Sequence, residues 1–425
     1  MKFRVALRSG IAIKAAPVVI LLTLFYYFTG ETVPPSSFDG FAPAVVAAPL
    51  MTLYPLAYAV TASMAIWESG RLRSGGVWEL APARSRFAIA LNVLVPVISA
   101  GWLVILMPPA ISLIRAEVLP SWDSLRLPAM AMVVCLAYAM IGFAIGLKTK
   151  PIITAPITAV TLWVVIAFSR SVQPYWIRHT SGLFSDLVFG EVPSVMAITP
   201  PILFAGGISL ALSILWLPIR ATFLRIVIST AVAVGGMGGA YGISHNWPHD
   251  PPLLAGQVSM RCVGQEPMVC MPEATAKMAS TVQRDASEVL DALKDHGMEE
   301  LPSRIMDSYA EGRFPQTSSN RIWHLNLTTS ARQDRVRFQI ATAAVRFPCT
   351  NVDLLRGHAA WYWAASVTGQ QGAYEARVAQ EEVTAETKLI ERQVHGTVRQ
   401  VLKKSRQEQA NWYYGTLAAA CGKES

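Results

Sequence analysis

Four cysteines in the last part of the chain are the residues whose type and spacing could do chemistry. Cys262 and Cys270 flank a turn-like segment, V-G-Q-E-P-M-V, and Cys349 and Cys421 follow further along. An even number of cysteines in one soluble domain is typical of disulfides when that domain faces an oxidising compartment. A local Cys262–Cys270 disulfide is the simplest pairing, and Cys349–Cys421 would be the second. Four cysteines allow three connectivities, and free thiols are the alternative.

The sequence contains none of the motifs that mark common catalytic and nucleotide-binding sites. H-E-x-x-H, G-x-S-x-G and the phosphate-binding motif G-x-x-x-x-G-K-[ST] are all absent. The histidines His296, His324, His358 and His395 lack the spacing of a metal site. His358 lies in the helical segment H-A-A-W-Y-W, which favours packing or capping over catalysis. We therefore predict a protein that is not an enzyme and has no catalytic residue, cofactor or metal.

The charge of the chain is distributed unevenly, which bears on its class. Of its 425 residues, 52% are hydrophobic and only 15% are charged, whereas a soluble domain usually carries about 25% charged residues. The formal net charge of +8 belongs to residues 1–249, because Lys and Arg equal Asp and Glu in the remainder. Positive charge confined to the loops of an apolar region indicates membrane orientation rather than binding of nucleic acid.

Apolar stretches in the first part of the chain approach the length that crosses a bilayer, about 20 residues. Core helices of a large soluble protein are the alternative, but so many runs separated by short charged loops argue against it. The first stretch resembles a signal peptide, yet no A-x-A cleavage pattern follows Phe28, so we interpret it as a retained helix. The predicted spans are residues 11–30, 42–67, 87–114, 127–147, 151–169, 198–218 and 224–244.

The positive charges of the loops predict an orientation. With a cytoplasmic amino terminus, twelve Lys and Arg residues lie inside and four lie outside, in agreement with the positive-inside rule. An odd number of spans then places residues 259–425 outside, where cysteines can pair. We predict a multi-pass plasma-membrane protein, embedded in the lipid bilayer, with an extracytoplasmic carboxy-terminal domain.

Small residues within the spans indicate close helix packing. Gly142 and Gly146 are four residues apart, as are the pairs 235–239 and 238–242. This spacing favours close helix contact, within one chain or in a homodimer, although glycine is also simply common in membrane helices. No Asp, Glu, Lys or Arg lies at the centre of a span, which argues against an ion-coupled transporter.

The loop between the second and third spans, 67–86, is the most informative segment of the membrane region. Its sequence is W-E-S-G-R-L-R-S-G-G-V-W-E-L-A-P-A-R-S-R. The simple interpretation is a positively charged connector with an interfacial helix. The sharper interpretation is a helix that docks a cytoplasmic partner. The candidate docking residues are Glu68, Trp78, Leu80, Pro82, Arg84 and Arg86.

This segment resembles the permease subunits of type-2 ABC exporters. In that family an acidic residue closes the second helix, a short coupling helix meets the ATPase, and a Gly…Leu…Pro…Arg pattern precedes the third helix. The resemblance covers roughly residues 1–243 and implies a separate cytoplasmic ATPase, because this chain has no phosphate-binding loop. The matching positions are Glu68, Gly75 or Gly76, Leu80, Pro82, Arg84 and Arg86.

Two features depart from the family pattern. The spacing from Glu68 to the glycines is longer than usual, and seven spans replace the six of the family core, whose ends both lie inside. A seventh helix that carries an exported domain would account for the second difference. The layout also resembles uncharacterised actinobacterial membrane proteins that join a permease-like region to an external, Cys-containing domain.

The segment after the last span is predicted to be a separate soluble domain. A Pro-rich linker, 246–258, precedes residues 259–425, which suffice for one hydrophobic core. Helices are expected at 273–296, 301–311, 351–367, 374–404 and 406–420, and strands at 322–327 and 336–340. Aromatic residues could line a ligand groove, but their helical setting favours core packing: Trp361, Tyr362, Trp363, Trp412, Tyr413 and Tyr414.

The predicted fold is therefore an all-α bundle of about seven transmembrane helices, followed by a mostly helical extracytoplasmic domain with short strands. The predicted function is that of a permease-like subunit of an ABC exporter, with an external domain that regulates or caps it. The alternative is a membrane-anchored ligand-binding or sensor protein without transport activity. An adjacent ATPase gene would favour the first function, and an adjacent kinase or regulator gene would favour the second.

Overall fold

A computed structural model describes residues 10–30, 33–79, 85–184, 186–217, 221–347, 349–380 and 385–421. The chain divides into two compact units, Met1–Ala255 and Gly256–Ser425. The boundary between the two units falls within the predicted linker, 246–258.

Seven helices of the first unit are long and apolar enough to cross a membrane. They confirm the predicted all-α, multi-pass membrane bundle. Two-residue strands, β1 (Val192–Pro193) and β2 (Leu253–Leu254), pair in antiparallel fashion beside it. The helices are α1 (Ile11–Gly30), α2 (Ala42–Ser74), α3 (Arg86–Ala116), α4 (Arg126–Gly146), α5 (Pro151–Phe168), the short α6 (Trp176–Thr180), α7 (Val195–Leu215) and α8 (Thr222–Ser244).

Helix α2 forms the centre of the first unit. In the most apolar 18-residue stretch of α2, 72% of the residues are buried, whereas the corresponding stretch of α8 is only 11% buried. Helices α1, α3, α4 and α5 all pack on α2. Small side chains on α2 let these neighbours approach closely, as is common where membrane helices pack. The fully or almost fully buried alanines of α2 include Ala44, Ala47, Ala57, Ala62 and Ala65.

The paired glycines differ in what they contact. A methyl group added at Gly142 would lie 2.3 Å from the carbonyl oxygen of Ala62, so α4 packs on α2 through this glycine. Gly235, Gly238 and Gly242 of α8 have no such neighbour within 4 Å in the described part of the chain. In α8 the closely packed glycine is instead Gly236, which meets Gly207 of α7.

The second unit is built around a four-stranded sheet and a layer of helices. The sheet order is β3-β4-β5-β6; β3 and β4 are antiparallel, and the other neighbours are parallel. The strands are β3 (Met260–Val263), β4 (Met268–Pro272), β5 (Arg304–Asp307) and β6 (Ile322–Leu325). The helices are α9 (Ala279–Asp295), α10 (Leu327–Arg332), α11 (Val336–Ala343), α12 (Leu354–Val367), α13 (Gln371–Gln380), α14 (Ala385–Val401) and α15 (Arg406–Ala420).

The ends of these helices follow local sequence signals. The Asp353 side chain accepts a hydrogen bond from the Arg356 N–H and caps α12. Ser405 and Glu408 form a capping box at the start of α15. Gly297, with φ +85°, follows α9 in the left-handed region that glycine adopts without strain.

Two local predictions for the second unit were wrong. Residues 301–311 were expected to be helical, but they contain strand β5 and the 3-10 turn Ser308–Glu311. Residues 336–340 were expected to be a strand, but they lie in helix α11. The predicted helix 374–404 is represented by α13 and α14, and residues 381–384 between them lie outside the described part of the chain.

The core of the second unit consists of large side chains from the sheet and from most of its helices. Trp323 of β6, Trp363 of α12 and Tyr413 of α15 are almost fully buried. The rings of Trp363 and Tyr413 stack with centroids 4.7 Å apart. This arrangement agrees with core packing for these two aromatic residues, although Tyr414 beside them is 40% exposed.

Both disulfides join the cysteines of the simplest predicted pairing. Cys262 and Cys270 are opposite each other on the antiparallel strands β3 and β4 and form one disulfide. Cys349 and Cys421 form the second, which fastens the segment before α12 to the residue after α15. Cys135, in the first unit, is a buried free thiol.

Candidate functional site

The carboxy-terminal end of α2 carries a buried carboxylate. Glu68 is 1% exposed, and its Oε1 accepts a hydrogen bond from the backbone N–H of Ile11, the first residue of α1. Its Oε2 accepts a hydrogen bond from Arg71 Nε at 2.8 Å, which completes an ion pair. A buried carboxylate requires such partners. Glu68 therefore links the end of α2 to the start of α1, where the helix dipole also favours negative charge.

The residues beside Glu68 contact two further helices. A methyl group on Gly70 would lie 2.5 Å from Pro151 Cγ, at the start of α5. A methyl group on Gly146 of α4 would lie 2.0 Å from Ser69 Oγ. We call this region the α2 junction; it comprises Glu68, Ser69 and Gly70 with their partners Ile11, Gly146 and Pro151. Through it, α2 is in tight contact with three other spanning helices.

The candidate docking segment begins directly after the α2 junction. Helix α2 continues to Ser74, and residues 75–79 form a turn rather than the expected amphipathic helix. Gly76 has φ +62°, which suits glycine. Arg86 is the first residue of α3, and the Ser85 side chain caps that helix. The predicted docking residues Leu80, Pro82 and Arg84 lie outside the described residues.

Trp78, one of the predicted docking residues, contacts an aromatic side chain at the end of α7. Its ring meets the Trp216 ring with centroids 5.6 Å apart. Phe87 and Phe143 also contact Trp216, at 6.0 Å and 5.4 Å between centroids. These four residues form an aromatic cluster that joins the turn after α2 to α3, α4 and the end of α7.

A second candidate site lies in the second unit, around Glu391. His358 Nδ1 donates a hydrogen bond to Glu391 Oε1, and the Tyr374 hydroxyl donates to the same oxygen at 3.3 Å. His395 Nε2 lies 3.7 Å from Glu391 Oε2, and its ring stacks on Tyr362 at 4.2 Å. Among the described residues, no group donates a hydrogen bond to the buried Oε2. We call this group the Glu391 cluster.

A cavity of about 630 Å³ adjoins the Glu391 cluster. The Tyr362 hydroxyl donates a hydrogen bond at 3.2 Å to Oε1 of Glu375, which lines the cavity. Burial, assisted by Glu375, raises the pKa of Tyr362 to about 12, so this hydroxyl stays a donor at neutral pH. The cavity combines carboxylates, cations and apolar side chains, among them Glu375, Val378, Lys388, Glu391, Arg392 and His395.

Sequence reasoning did not find the Glu391 cluster, because its members come from α12, α13 and α14. His358 was singled out as a packed or capping residue, and the structure places it on Glu391. The four-residue spacing of Glu391 and His395 was the only local signal, since it puts both side chains on one helix face. Within the described residues, no group of three His, Cys, Asp or Glu side chains is arranged to hold a metal ion.

Comparison with known proteins gives one match. Residues 269–421 match the model of a domain family of unknown function, DUF7224. The match starts within β4 and ends at Cys421, so it includes Cys270, Cys349 and the Glu391 cluster. No curated protein and no solved structure matches the chain.

Proposed function

We propose that this chain is the membrane-embedded, permease-like subunit of an ABC exporter, and that a separate cytoplasmic ATPase drives it. The observation that carries the proposal is the α2 junction. The segment that would meet the ATPase follows α2, and Glu68 ties the end of α2 to α1. Close contacts at Gly146 and Pro151 join the same end to α4 and α5. A displacement of the loop would therefore be transmitted to three spanning helices.

The proposed topology has the amino terminus and the loop after α2 in the cytoplasm and the second unit outside. The distribution of Lys and Arg supports this orientation. The two disulfides fit an oxidising, extracytoplasmic compartment. In this arrangement the second unit caps or regulates the exporter from outside.

Affinity purification of the full chain from its native membranes tests the proposal. An ATPase with a G-x-x-x-x-G-K-[ST] motif is expected to co-purify with the wild-type chain. Leu80→Asp and Trp78→Asp are expected to reduce its recovery, because each places a charge in the docking segment. Trp122→Asp is the control, since Trp122 is 88% exposed in the α3–α4 loop on the opposite side of the proposed topology. Unchanged recovery in both docking variants would contradict the proposal.

A second candidate function is binding of a ligand by the second unit, with the helices serving mainly as an anchor. The cavity beside the Glu391 cluster favours it, because its lining combines carboxylates with apolar side chains and, within the described part of the chain, no group donates a hydrogen bond to Glu391 Oε2. A primary amine is the simplest such ligand. Thermal-shift measurements on the full chain with lysine and putrescine test this function. Stabilisation that Glu391→Gln abolishes, and that Glu288→Gln on exposed α9 surface leaves intact, would support it.

A further inference from the structure

An apolar cleft lies in the first unit between α3, α4 and α7. Its volume is about 280 Å³. Helix α4 forms the floor with Leu136, Met140 and Phe143, while Leu94 of α3 and Leu212 of α7 form the walls. All of these residues belong to membrane-spanning helices. The cleft therefore lies at the depth of the hydrocarbon of the bilayer.

The dimensions and lining of the cleft fit a hydrocarbon chain. Its α3 wall runs from Phe87 to Ile98, which at the helical rise of 1.5 Å per residue is about 16 Å. This is about half of the ~30 Å hydrocarbon core, or one leaflet. Among the described residues, Ser213 is the one hydroxyl of the lining, and it already donates to the Ser209 carbonyl at 2.8 Å. The described lining thus offers no free polar group to a polar ligand.

The end of the cleft near the α2–α3 loop is different, because N–H donors lie beyond it. Trp216 lines this end and contacts Trp78, whose buried Nε1 has no acceptor among the described residues. Arg225 Nη1 donates to the carbonyl of Leu217, the neighbour of Trp216, at 3.3 Å. Arg225 Nε is likewise buried without an acceptor in the described part of the chain. Arg225 therefore supplies a positive charge near this end of the cleft, and phosphate oxygens are strong acceptors for arginine.

We propose that this cleft binds one acyl chain of an anionic phospholipid, and that its phosphate lies at this end of the cleft, near the Arg225 guanidinium group. The apolar walls hold the chain over the depth of one leaflet. The positive charge of Arg225, together with Arg86 at the start of α3, selects an anionic headgroup over a zwitterionic one. A free fatty acid has the same acyl chain, with a carboxylate in place of the phosphate. The experiment must therefore distinguish a phospholipid from a free fatty acid.

The test uses the full chain in nanodiscs and phosphatidylglycerol that carries a diazirine in one acyl chain. Ultraviolet crosslinks are expected on α3 and α4 at the cleft, around Leu94 and Met140. Unlabelled phosphatidylglycerol should displace the probe about tenfold more effectively than phosphatidylcholine of the same chains, which corresponds to about 1.4 kcal/mol. Oleic acid that displaces the probe as well as phosphatidylglycerol would overturn the phospholipid assignment.

Substitutions test the acyl-chain site and the headgroup site separately. Leu136→Trp fills the cleft and should reduce crosslinking at least fivefold. Val133→Trp is the matched control, because Val133 and Leu136 are both 42% exposed on α4 and only Leu136 lines the cleft. Arg225→Gln should retain crosslinking but abolish the preference for the anionic lipid. Equal crosslinking in Leu136→Trp and wild type, or equal labelling of the exposed faces of α5 and α8, would refute the site.

Discussion

Gly146 of α4 lies so close to Ser69 of α2 that an added methyl group would be 2.0 Å from the serine hydroxyl oxygen. The same methyl group would also lie 2.3 Å from the carbonyl oxygen of Ile66. Contact with backbone leaves little room for relaxation, so the packing of α4 on α2 requires glycine at this position. This contact, with the one at Gly142, sets the position of α4 at the α2 junction.

Replacing Gly146 by alanine is therefore expected to destabilise the first unit by about 1–3 kcal/mol, the usual range for overpacking. The measurement is thermal unfolding of the purified chain in detergent. Gly238→Ala is the control, because among the described residues no atom beyond its own stretch of helix lies within 4 Å of a methyl group at Gly238. Equal stability of the Gly146→Ala and Gly238→Ala variants would contradict this account of the α2 junction.

Glu68→Gln is expected to lower the stability of the first unit by about 1.5–3 kcal/mol, the range for a lost hydrogen bond to a charged group. Glutamine keeps an oxygen for the Ile11 N–H but lacks the charge that pairs with Arg71. Glu79→Gln, in the exposed part of the following turn, should change stability by less than about 0.5 kcal/mol. Thermal scans of both variants decide the point, and an unaffected Glu68→Gln variant would show that the carboxylate charge is dispensable.

The cysteines of the second unit are expected to be oxidised in the membrane-inserted protein. After denaturation without reductant, a maleimide-polyethylene glycol reagent should modify one thiol, Cys135, because the other four form disulfides. After reduction it should modify all five. The gel shift of the chain isolated from intact cells gives the number of modified thiols before and after reduction. Five reactive thiols without reductant would place the second unit in a reducing compartment.

The two disulfides should differ in their effect on stability. Cys349 and Cys421 are separated by 72 residues, against 8 for Cys262 and Cys270. Loop-closure entropy then predicts about 4.4 kcal/mol for the long loop and about 2.6 kcal/mol for the short one. The test replaces both cysteines of one disulfide by serine, in one double variant for each disulfide. The free energy of unfolding in denaturant is then compared between the two variants. A larger loss for the Cys262–Cys270 pair would show that loop entropy does not dominate.

His179 is expected to make the first unit less stable in acid. Burial lowers the pKa of His179, while its hydrogen bond to the Pro248 carbonyl partly opposes the shift. The unfolded chain therefore binds a proton at about pH 6.5, where the folded protein does not. Stability is full above that pH and falls as the pH drops through it. His179→Gln keeps an N–H donor without titrating, so its unfolding temperature should depend less on pH between about 7.5 and 5.

The sequence was sufficient to predict the membrane bundle, because a helix must be long and apolar to cross the hydrocarbon of a bilayer and such stretches are evident in a sequence. Each predicted span corresponds to one long apolar helix. The charged residues between the spans agree with loops that join these helices. What hydropathy could not show is that α2 lies at the centre. That position follows from contacts such as Gly142 with Ala62, which depend on the tertiary packing of separate helices.

The second unit was harder to predict because its elements are short. Val336, Phe338 and Ile340 alternate as in a strand, yet all three are buried within helix α11, where packing on α9 decides the conformation. Strand β5 has only four residues, and its pairing with β4 and β6 comes from distant parts of the chain. The strand propensity of its residues alone does not predict with which strands β5 pairs.

Photocrosslinking from the turn after α2 tests the central claim most directly. A benzophenone amino acid would replace Glu79, which is exposed, and in the control it would replace Leu119, which is 87% exposed in the α3–α4 loop. In intact cells, the account predicts one ultraviolet-dependent adduct from position 79 that contains a P-loop ATPase, and none from position 119. No ATPase adduct from position 79, or the same adduct from both positions, would contradict the claim that this loop receives the ATPase.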